Sequence, residues 1–479
     1  MENLTLPGNP RYQPKQLVGI FGYDNLYSTY VEVEMAALKT LCECGIMPKE
    51  DFEKLSLAAE NALDEILTSE VDEVERKVTK HDIRALVQII QKIVGPEVGR
   101  WVHVPLTSYD VIDTGRSLQF VRAFQVLEPS IRKVIFDFNS KIFTFADTVQ
   151  IGRTHGQHAL PITVGFWLAT INQRIFFNYS EMRRYAAGLV GKISGAVGAY
   201  NAQRGLRIYS EGENFEVEVL KKLGLKAAPI STQILPPESL AYFLFSCIAM
   251  SASLGQFGRD CRQLMRSEIG EIAEAFSADQ VGSSTMAHKR NPINFENLEG
   301  TWLKNKNEFG KVLDTLISEH QRDLVGSCIS RDFPTILINL QQQLNTLLRP
   351  SKSGGTFLSN ITVDVENCRK NLAKSQDFIL AEPLYIALQM AGYHGDAHHF
   401  VNHALMPIAK QNDVDLFEAM MMAAKLEPGL SETIAKIPEE VKTLLKNPDK
   451  YTGFATEKAL NTIDLIEEQF KNWDLEDEK

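Results

Sequence analysis

The chain has 479 residues, of which 44% are hydrophobic and 23% charged, and its 50 basic and 61 acidic residues leave a net charge of −11. Such a composition excludes wholesale disorder, and the length suffices for a core that needs no disulfide or metal to hold it; at ~150 residues per domain it suggests about three domains. The acidic balance argues against a general nucleic-acid binder, which needs a basic face, but it admits a small anionic substrate held by a few local cations.

In chain order, residues 1–112 read as a mostly helical N-terminal domain, with Met35 to Cys44 and Asp51 to Leu67 as its better stretches. Residues 113–355 read as a central bundle of long helices. One apolar seam runs Ile131, Val134, Ile135, Phe138, Ile142, Phe145, and another, around Val164, Leu168, Ile171 and Ile175, follows Pro161. No sustained β alternation is evident, although Leu206 to Val219 has room for a short hairpin. The clearest seam is Leu240, Phe243, Cys247, Met250, Leu254, Phe257, Cys261, Leu264, whose alternating steps of three and four make a seven-residue repeat. Pro237 fits its first turn. A similar seam, Phe295, Leu298, Trp302, Asn305, Phe309, Val312, Leu316, starts behind Asn291-Pro292, an N-cap with a first-turn proline; Asn305 is its polar intruder, a residue that sets register at some cost in stability. The last seam, Leu337, Leu340, Leu344, Leu347, stops at Pro350. Narrow seams on long helices need partners, which predicts an all-α bundle that also packs against other subunits. The break at Ser351 to Gly355 opens a C-terminal helical domain, residues 356–479, with Ala381 to Met390 and Phe417 to Leu426 as shorter helices and a charged, fraying end from Leu475 to Lys479.

The first thirty residues contain no basic stretch followed by an apolar one, and no apolar run approaches the ~18 residues of a membrane span. Cys42, Cys44, Cys247, Cys261, Cys328 and Cys368 show no framework spacing. Reduced cysteines in a cytoplasmic protein, with neither membrane nor nucleic acid as partner, are the expectation.

Four polar islands interrupt the helical pattern: Lys80-His81-Asp82-Ile83-Arg84; His103 through Thr107-Ser108-Tyr109-Asp110 to Asp113-Thr114; Gly152-Arg153-Thr154-His155-Gly156-Gln157-His158; and Gly282-Ser283-Ser284-Thr285-Met286-Ala287-His288-Lys289-Arg290-Asn291-Pro292. In the fourth, two hydroxyls are followed by two cations and a helix start, an arrangement suited to a carboxylate. A serine hydroxyl becomes a usable base where a cationic, water-excluded pocket stabilises its alkoxide, and the same cations stabilise the second charge that develops on a substrate carboxylate when its neighbouring carbon loses a proton. The bland alternative is a solvated loop ahead of a capped helix. His81 sits between Lys80 and Asp82, and His155 has Arg153, Thr154 and Gln157 for company, which favours function for both; His158 reads equally well as structural, and Arg322 and Arg331 also fit surface ion pairs. His394 with His398, and His399 with His403, have the i, i+4 spacing of metal chelators, but no Glu completes a His-Glu-x-x-His motif, and a solvated or oligomer-facing helix is the expectation.

The fourth island carries Gly-Ser-Ser-x-Met-x-x-Lys-x-Asn-Pro, and through it the chain resembles the fumarase/aspartase superfamily, whose members cleave C–N or C–O bonds and release fumarate. The other islands, and Ser318 to Arg331, resemble motifs of the branch acting on succinylated purine nucleotides, in the same order along residues 20 to 410. The resemblance implies a three-domain, all-α homotetramer with a twenty-helix core, active sites shared between subunits, and no metal or other cofactor. It implies Ser283 as general base, His155 as general acid, and His81 as support for that acid or for the substrate phosphate. Lys289, Asn291, Thr107, Ser108 and Thr154 would hold the succinyl carboxylates, and Gln233, His103, Arg322, Ser327, Arg331 and Tyr23 the nucleotide end. Products would be fumarate with AMP, or with aminoimidazole carboxamide ribotide, as in purine biosynthesis. Three departures stand out: Ala287 where the family has Pro, Gly22-Tyr23 matched to an Arg-Tyr pair, and Cys328 for a second serine. A lost arginine fork removes a bidentate phosphate contact, so either Lys80 or Arg331 compensates or the substrate differs. The alternatives are an argininosuccinate lyase, a carboxymuconate cycloisomerase, or a catalytically silent helical scaffold.

Overall fold

The computed structural model describes residues 13–208, 214–275 and 289–477. It divides into two compact units, each built from three chain segments: unit 1 is Met1–Lys133, Phe177–Gln256 and Asn297–Leu348, and unit 2 is Val134–Phe176, Phe257–Glu296 and Arg349–Lys479. In chain order the elements used below are α1 (Ser28–Glu43), α2 (Asp82–Gly99), α3 (Ser108–Thr144), β1 (Val149–Thr154), β2 (Gln157–Thr163), α4 (Val164–Ala187), β3 (Val190–Gly191), β4 (Lys226–Ala227), α5 (Glu238–Leu264), β5 (Ile272–Ala273), α6 (Ile293–Asp314), α7 (Pro334–Leu348), β6 (Thr362–Val363), α8 (Val365–Ala373), α9 (Ala381–Met390), α10 (Leu416–Ala424) and α11 (Ala455–Asp477). The longest, α3, has 37 residues and spans roughly 55 Å at 1.5 Å per residue.

Most heptad-seam positions lie on the buried faces of these helices; in the α6 seam Phe295, Leu298, Asn305 and Val312 are buried, Trp302 and Phe309 are partly exposed, and Leu316, beyond the end of the helix, is exposed. Phe243, Cys247, Met250, Leu254, Phe257 and Cys261 of α5 are all buried, while Leu240 and Leu264 at its ends are not. The same holds for Ile131, Val134, Ile135, Phe138 and Ile142 of α3 and for the four leucines of α7. Each such side chain contributes about 2 kcal/mol of transfer free energy. By length and apolarity α5 is long enough to cross a membrane, although Ser246, Ser251, Ser253 and Gln256 interrupt its apolar run; its most apolar stretch is 67% buried inside the protein. Asn305, the polar intruder in α6, is fully buried and satisfied: its Nδ2 donates to the Ile336 carbonyl at 3.1 Å and its Oδ1 accepts from Asn339 at 3.2 Å. Gly255 permits α5 and α6 to approach closely, since a Cβ there would lie 2.7 Å from the Trp302 Cβ.

Unit 1 holds a second core where α1 and α2 pack Leu38, Leu41, Leu86 and Ile90 against Phe215, Val219 and Leu220. The last three belong to a helix, Phe215–Lys222, where a hairpin from Leu206 to Val219 was expected. Asn214 caps it by accepting from the Glu216 N–H at 3.0 Å, and the spacing of the buried trio is helical. Residues 209–213 of that stretch lie outside the described residues. The well-formed hairpin is instead β1–β2 in unit 2, paired from Val149 with Thr163 to Thr154 with Gln157. Unit 2 also contains the pair β5–β6 and a C-terminal core in which Leu384 and Leu388 of α9 meet Val401, Leu405, Leu416 and Met420. α11 stays helical to Asp477 rather than fraying from Leu475, because Phe470 and Trp473 pack on Phe176, at ring separations of 5.7 and 5.6 Å.

Candidate active site

In unit 1 the candidate residues gather around Tyr109, in the first turn of α3. Thr107 immediately precedes this helix, and Asp110, three positions on, accepts its backbone N–H at 2.8 Å, half of a reciprocal N-terminal cap. The Asp110 carboxylate is fully buried and also receives the Lys192 ammonium and the N–H groups of Ser194 and Gly195, at 3.1 and 3.2 Å. The Thr-Ser-Tyr-Asp stretch is therefore locked at its backbone, which fixes where Thr107, Ser108 and Tyr109 stand. The Tyr109 hydroxyl donates to Ser327 at 3.0 Å. The Arg322 guanidinium lies 3.4 Å from the Tyr109 ring centroid and donates to Gln233 at 2.8 Å. Gln233, Arg322 and Ser327, separate in sequence, are thus brought together. Tyr109 and Ser327 border a hollow lined by Arg116 and Arg331 and also by Asp72, Glu75 and Asp82.

Three other unit 1 residues are placed differently. His103 has positive φ, and its Nδ1 lies 2.6 Å from an oxygen of the fully buried Glu34, which orients the ring; Glu34 also accepts the His103 N–H at 3.0 Å. His81 is the N-cap of α2, its Nδ1 accepting from the Arg84 N–H at 3.4 Å while the ring is half exposed. Tyr23 faces an acidic wall. Its hydroxyl donates to Asp72, a bond that pushes its pKa up, and Glu75 and Asp82 line the same hollow. The hollow thus carries both carboxylates, which repel a phosphate, and the guanidinium groups of Arg116 and Arg331, which attract one, while the Tyr23 hydroxyl itself is taken up by Asp72. The literal Arg-Tyr pair of the chain is Arg11-Tyr12, which the match to Gly22-Tyr23 overlooked; it lies outside the described residues.

In unit 2, His155 and Gly156 form the two-residue turn between β1 and β2, with φ of 53° and 76°. Positive φ at both positions is the requirement of a tight hairpin turn that follows strand twist. The His155 imidazole is exposed at the tip, and no hydrogen bond reaches it from the described residues. Beneath the turn, Arg153 donates to Glu271 at 3.0 and 2.7 Å, a bidentate, largely buried pair. His158 lies on β2 with Nδ1 2.7 Å from Ser375 Oγ; burial, then Arg153, holds its pKa below the ordinary imidazole value. Lys289 and Asn291 lead into α6, Lys289 exposed. Ser283 lies outside the described residues. Of the C-terminal histidines, His398 packs edge-on against Tyr385 and contacts Asn402 at 3.0 Å, while the rings of His399 and His403 are 4.5 Å apart.

Sequence reasoning left out Tyr109, Asp110, Arg116 and Glu271. Tyr109 and Asp110 lie inside a motif already singled out, and a capping-box reading of Thr107 to Asp110 would have exposed the latter. Nothing local marks Glu271.

A family model described as "Lyase" matches residues 11–304. The adenylosuccinate lyase of Archaeoglobus fulgidus is 32% identical over 467 residues, covering 97% of this chain and 99% of that protein. The adenylosuccinate lyase of Bacillus subtilis is 33% identical over 381 residues, 79% of this chain and 83% of that protein. Among solved structures, a fumarate lyase from a Mesorhizobium species superposes with a TM-score of 0.77 at 22% identity, over 96% of this chain and 99% of that one, a likeness of fold. Likeness sustained from end to end at this level, on a chain that keeps the Gly-Ser-Ser signature and the motif order, means that the chain belongs to the lyase family, among the adenylosuccinate lyases of the fumarase/aspartase superfamily.

Proposed function

We propose that the chain is a C–N lyase that cleaves adenylosuccinate to AMP and fumarate, and the succinylaminoimidazole carboxamide ribotide to its carboxamide ribotide and fumarate. The observation that carries this reading is the end-to-end kinship with adenylosuccinate lyases. In the proposed anti elimination, the Ser283 alkoxide takes the Cβ proton of the succinyl group. The electron pair moves into the adjacent carboxylate as a doubly charged aci form, stabilised by Lys289 and Asn291 with Thr107, Ser108 and Thr154. The pair then forms the C=C bond as the C–N bond breaks, and His155 protonates the departing nitrogen. His81 supports that transfer. His103, Gln233, Arg322, Ser327 and Arg331 hold the nucleotide end. The Arg322 cluster supports this assignment: a guanidinium stacked on an aromatic ring beside a serine hydroxyl suits an anionic ligand.

The enzyme works in the cytoplasm as a homotetramer whose subunits jointly build each active site. The apolar residues left exposed on long helices, among them Phe143, Phe177, Tyr242 and Phe245, support association. The test offers the purified chain adenylosuccinate, argininosuccinate and a carboxymuconate, with fumarate or lactone followed by ultraviolet absorbance. Turnover of the first alone is expected, and preference for either other substrate overturns the assignment. Ser283→Ala is expected to abolish turnover with the thermal midpoint unchanged; a near-full rate would show that another group is the base.

A further inference from the structure

β5 is two residues long and carries a buried carboxylate at each end, Glu271 just before Ile272 and Glu274 just after Ala273. Glu271 is fully buried and accepts four hydrogen bonds: two from Arg153, at 3.0 and 2.7 Å, one from Gln150 at 2.8 Å and one from Asn371 of α8 at 2.8 Å. Arg153 and Gln150 belong to β1, and the chain passes from Arg153 through Thr154 straight into the His155 turn. Glu274 faces another partner. Its Oε1 accepts the backbone N–H groups of Asn294 and Phe295, at 2.8 and 3.2 Å, and its Oε2 accepts from the Asn294 side chain at 2.6 Å. These are orphan donors of the first turn of α6, directly after Lys289-Arg290-Asn291-Pro292. Arg349 donates to Asn294 Oδ1 at 2.9 Å from the other side.

Burying two negative charges three residues apart is costly unless each is fully paired, and apolar residues of similar volume would fill the same space. The strand between them is itself pinned. Ile272 pairs with Val363 and Ala273 with Thr362, and the Glu271 carbonyl accepts from the Asp364 N–H at 2.8 Å. One rigid strand therefore anchors both the turn that presents the imidazole and the helix start that follows the cations.

We propose that Glu271 and Glu274 are positioning residues for the elimination: from the two ends of β5 they fix the His155 turn and the Lys289–Asn291 stretch, so that proton donor and carboxylate clamp are held by a common support. The inference rests on the roles given above to His155, Lys289 and Asn291. Small displacements of reacting groups act on the chemical step more than on binding, which gives the device a kinetic signature.

The experiment uses the full-length chain with adenylosuccinate and measures kcat and KM for Glu271→Gln, Glu274→Ala and Glu274→Gln, alongside thermal midpoint and oligomeric state. Glu271→Gln is expected to lower kcat by about a hundredfold with KM within about threefold, because an amide cannot receive both guanidinium donors. Glu274→Ala is expected to lower kcat about tenfold, and Glu274→Gln, whose amide oxygen still accepts the two backbone N–H groups, to recover most of the loss. Wild-type kcat in both Glu271→Gln and Glu274→Ala, or a rise in KM at constant kcat, overturns the proposal. Should Glu271→Gln fail to fold, Arg153→Lys replaces it: the charge remains, the fork is lost, and the same fall in kcat is expected, with wild-type kcat again overturning the proposal. An inactive wild-type chain would overturn the functional reading itself, and the positioning role with it.

Discussion

In unit 1 the candidate binding side chains hold one another: Arg322 lies on Tyr109 and donates to Gln233, and Tyr109 donates to Ser327. In unit 2 the candidate acid is held from behind, its ring untouched by the described residues and its turn anchored through Arg153 and Glu271. The difference follows from what each group has to do. Groups that bind an anion work best prearranged, because the ordering entropy is lost on folding rather than on binding. A group that gives up a proton needs its own nitrogen free, so its support must come through the backbone. The Arg322 cluster should therefore govern KM and the His155 turn kcat.

The largest effect, and the surest way to break that division, is His155→Ala. Its kcat should fall by about 10²–10⁴-fold with KM within about threefold and the circular dichroism spectrum unchanged; a KM effect alone would place His155 among the binding groups. Next comes Arg322→Ala, expected to raise KM about tenfold or more through loss of a charged hydrogen bond and of the stacked cation, at near-constant kcat. A fall in kcat instead would draw Arg322 into the chemistry. Tyr109→Phe keeps the ring under Arg322 and removes only the bond to Ser327, so a rise in KM of about threefold should result, measured with the same assay. Tyr23→Phe should leave KM within about twofold, because its hydroxyl serves Asp72; a tenfold rise would restore it as a substrate ligand. The smallest effect concerns pH. The folded chain holds the His158 pKa below its unfolded value, so it binds fewer protons there than the unfolded chain does. The associated stability is complete above about pH 6.5 and declines as pH falls below it. Thermal midpoints at pH 7.5 and 5.5 should therefore differ by about 1–2 °C less in His158→Gln than in the wild type. An equal difference would mean that His158 titrates alike in both states.

Much of this was legible in the linear order of residues. The seams of α3, α5 and α7 lie where the three-and-four spacing puts them, that of α6 extends only to Val312 with Trp302 and Phe309 partly exposed, and Asn305, out of place in an apolar stripe, is buried and paired. The islands at His81, His103 and His155 do mark turns and caps, with Lys80, His103 and His155 all at positive φ. The β1–β2 hairpin was missed because Pro161 and a register slip between Ile151 and Arg153 blur its alternation. The hairpin expected near Leu206 gave way to a helix because Asn214 at a cap position outweighs a short run of β-prone residues. Tyr23 was matched to a phosphate contact by its neighbourhood in the chain, whereas in space its hydroxyl meets Asp72 in a hollow lined by Glu75 and Asp82 and also by Arg116 and Arg331.

The family signature and the helical architecture were determined by the sequence alone, because periodicity, caps and signature spacing are relations between residues a few positions apart. Only the tertiary structure decided which group answers each buried carboxylate: the Lys192 ammonium for Asp110, the Arg153 guanidinium for Glu271, the neutral Asn294 amides for Glu274. Arg153 and Glu271 stand 118 residues apart, and no local pattern links them. A buried charge requires a partner wherever the fold can bring one, so its choice is settled by packing in three dimensions.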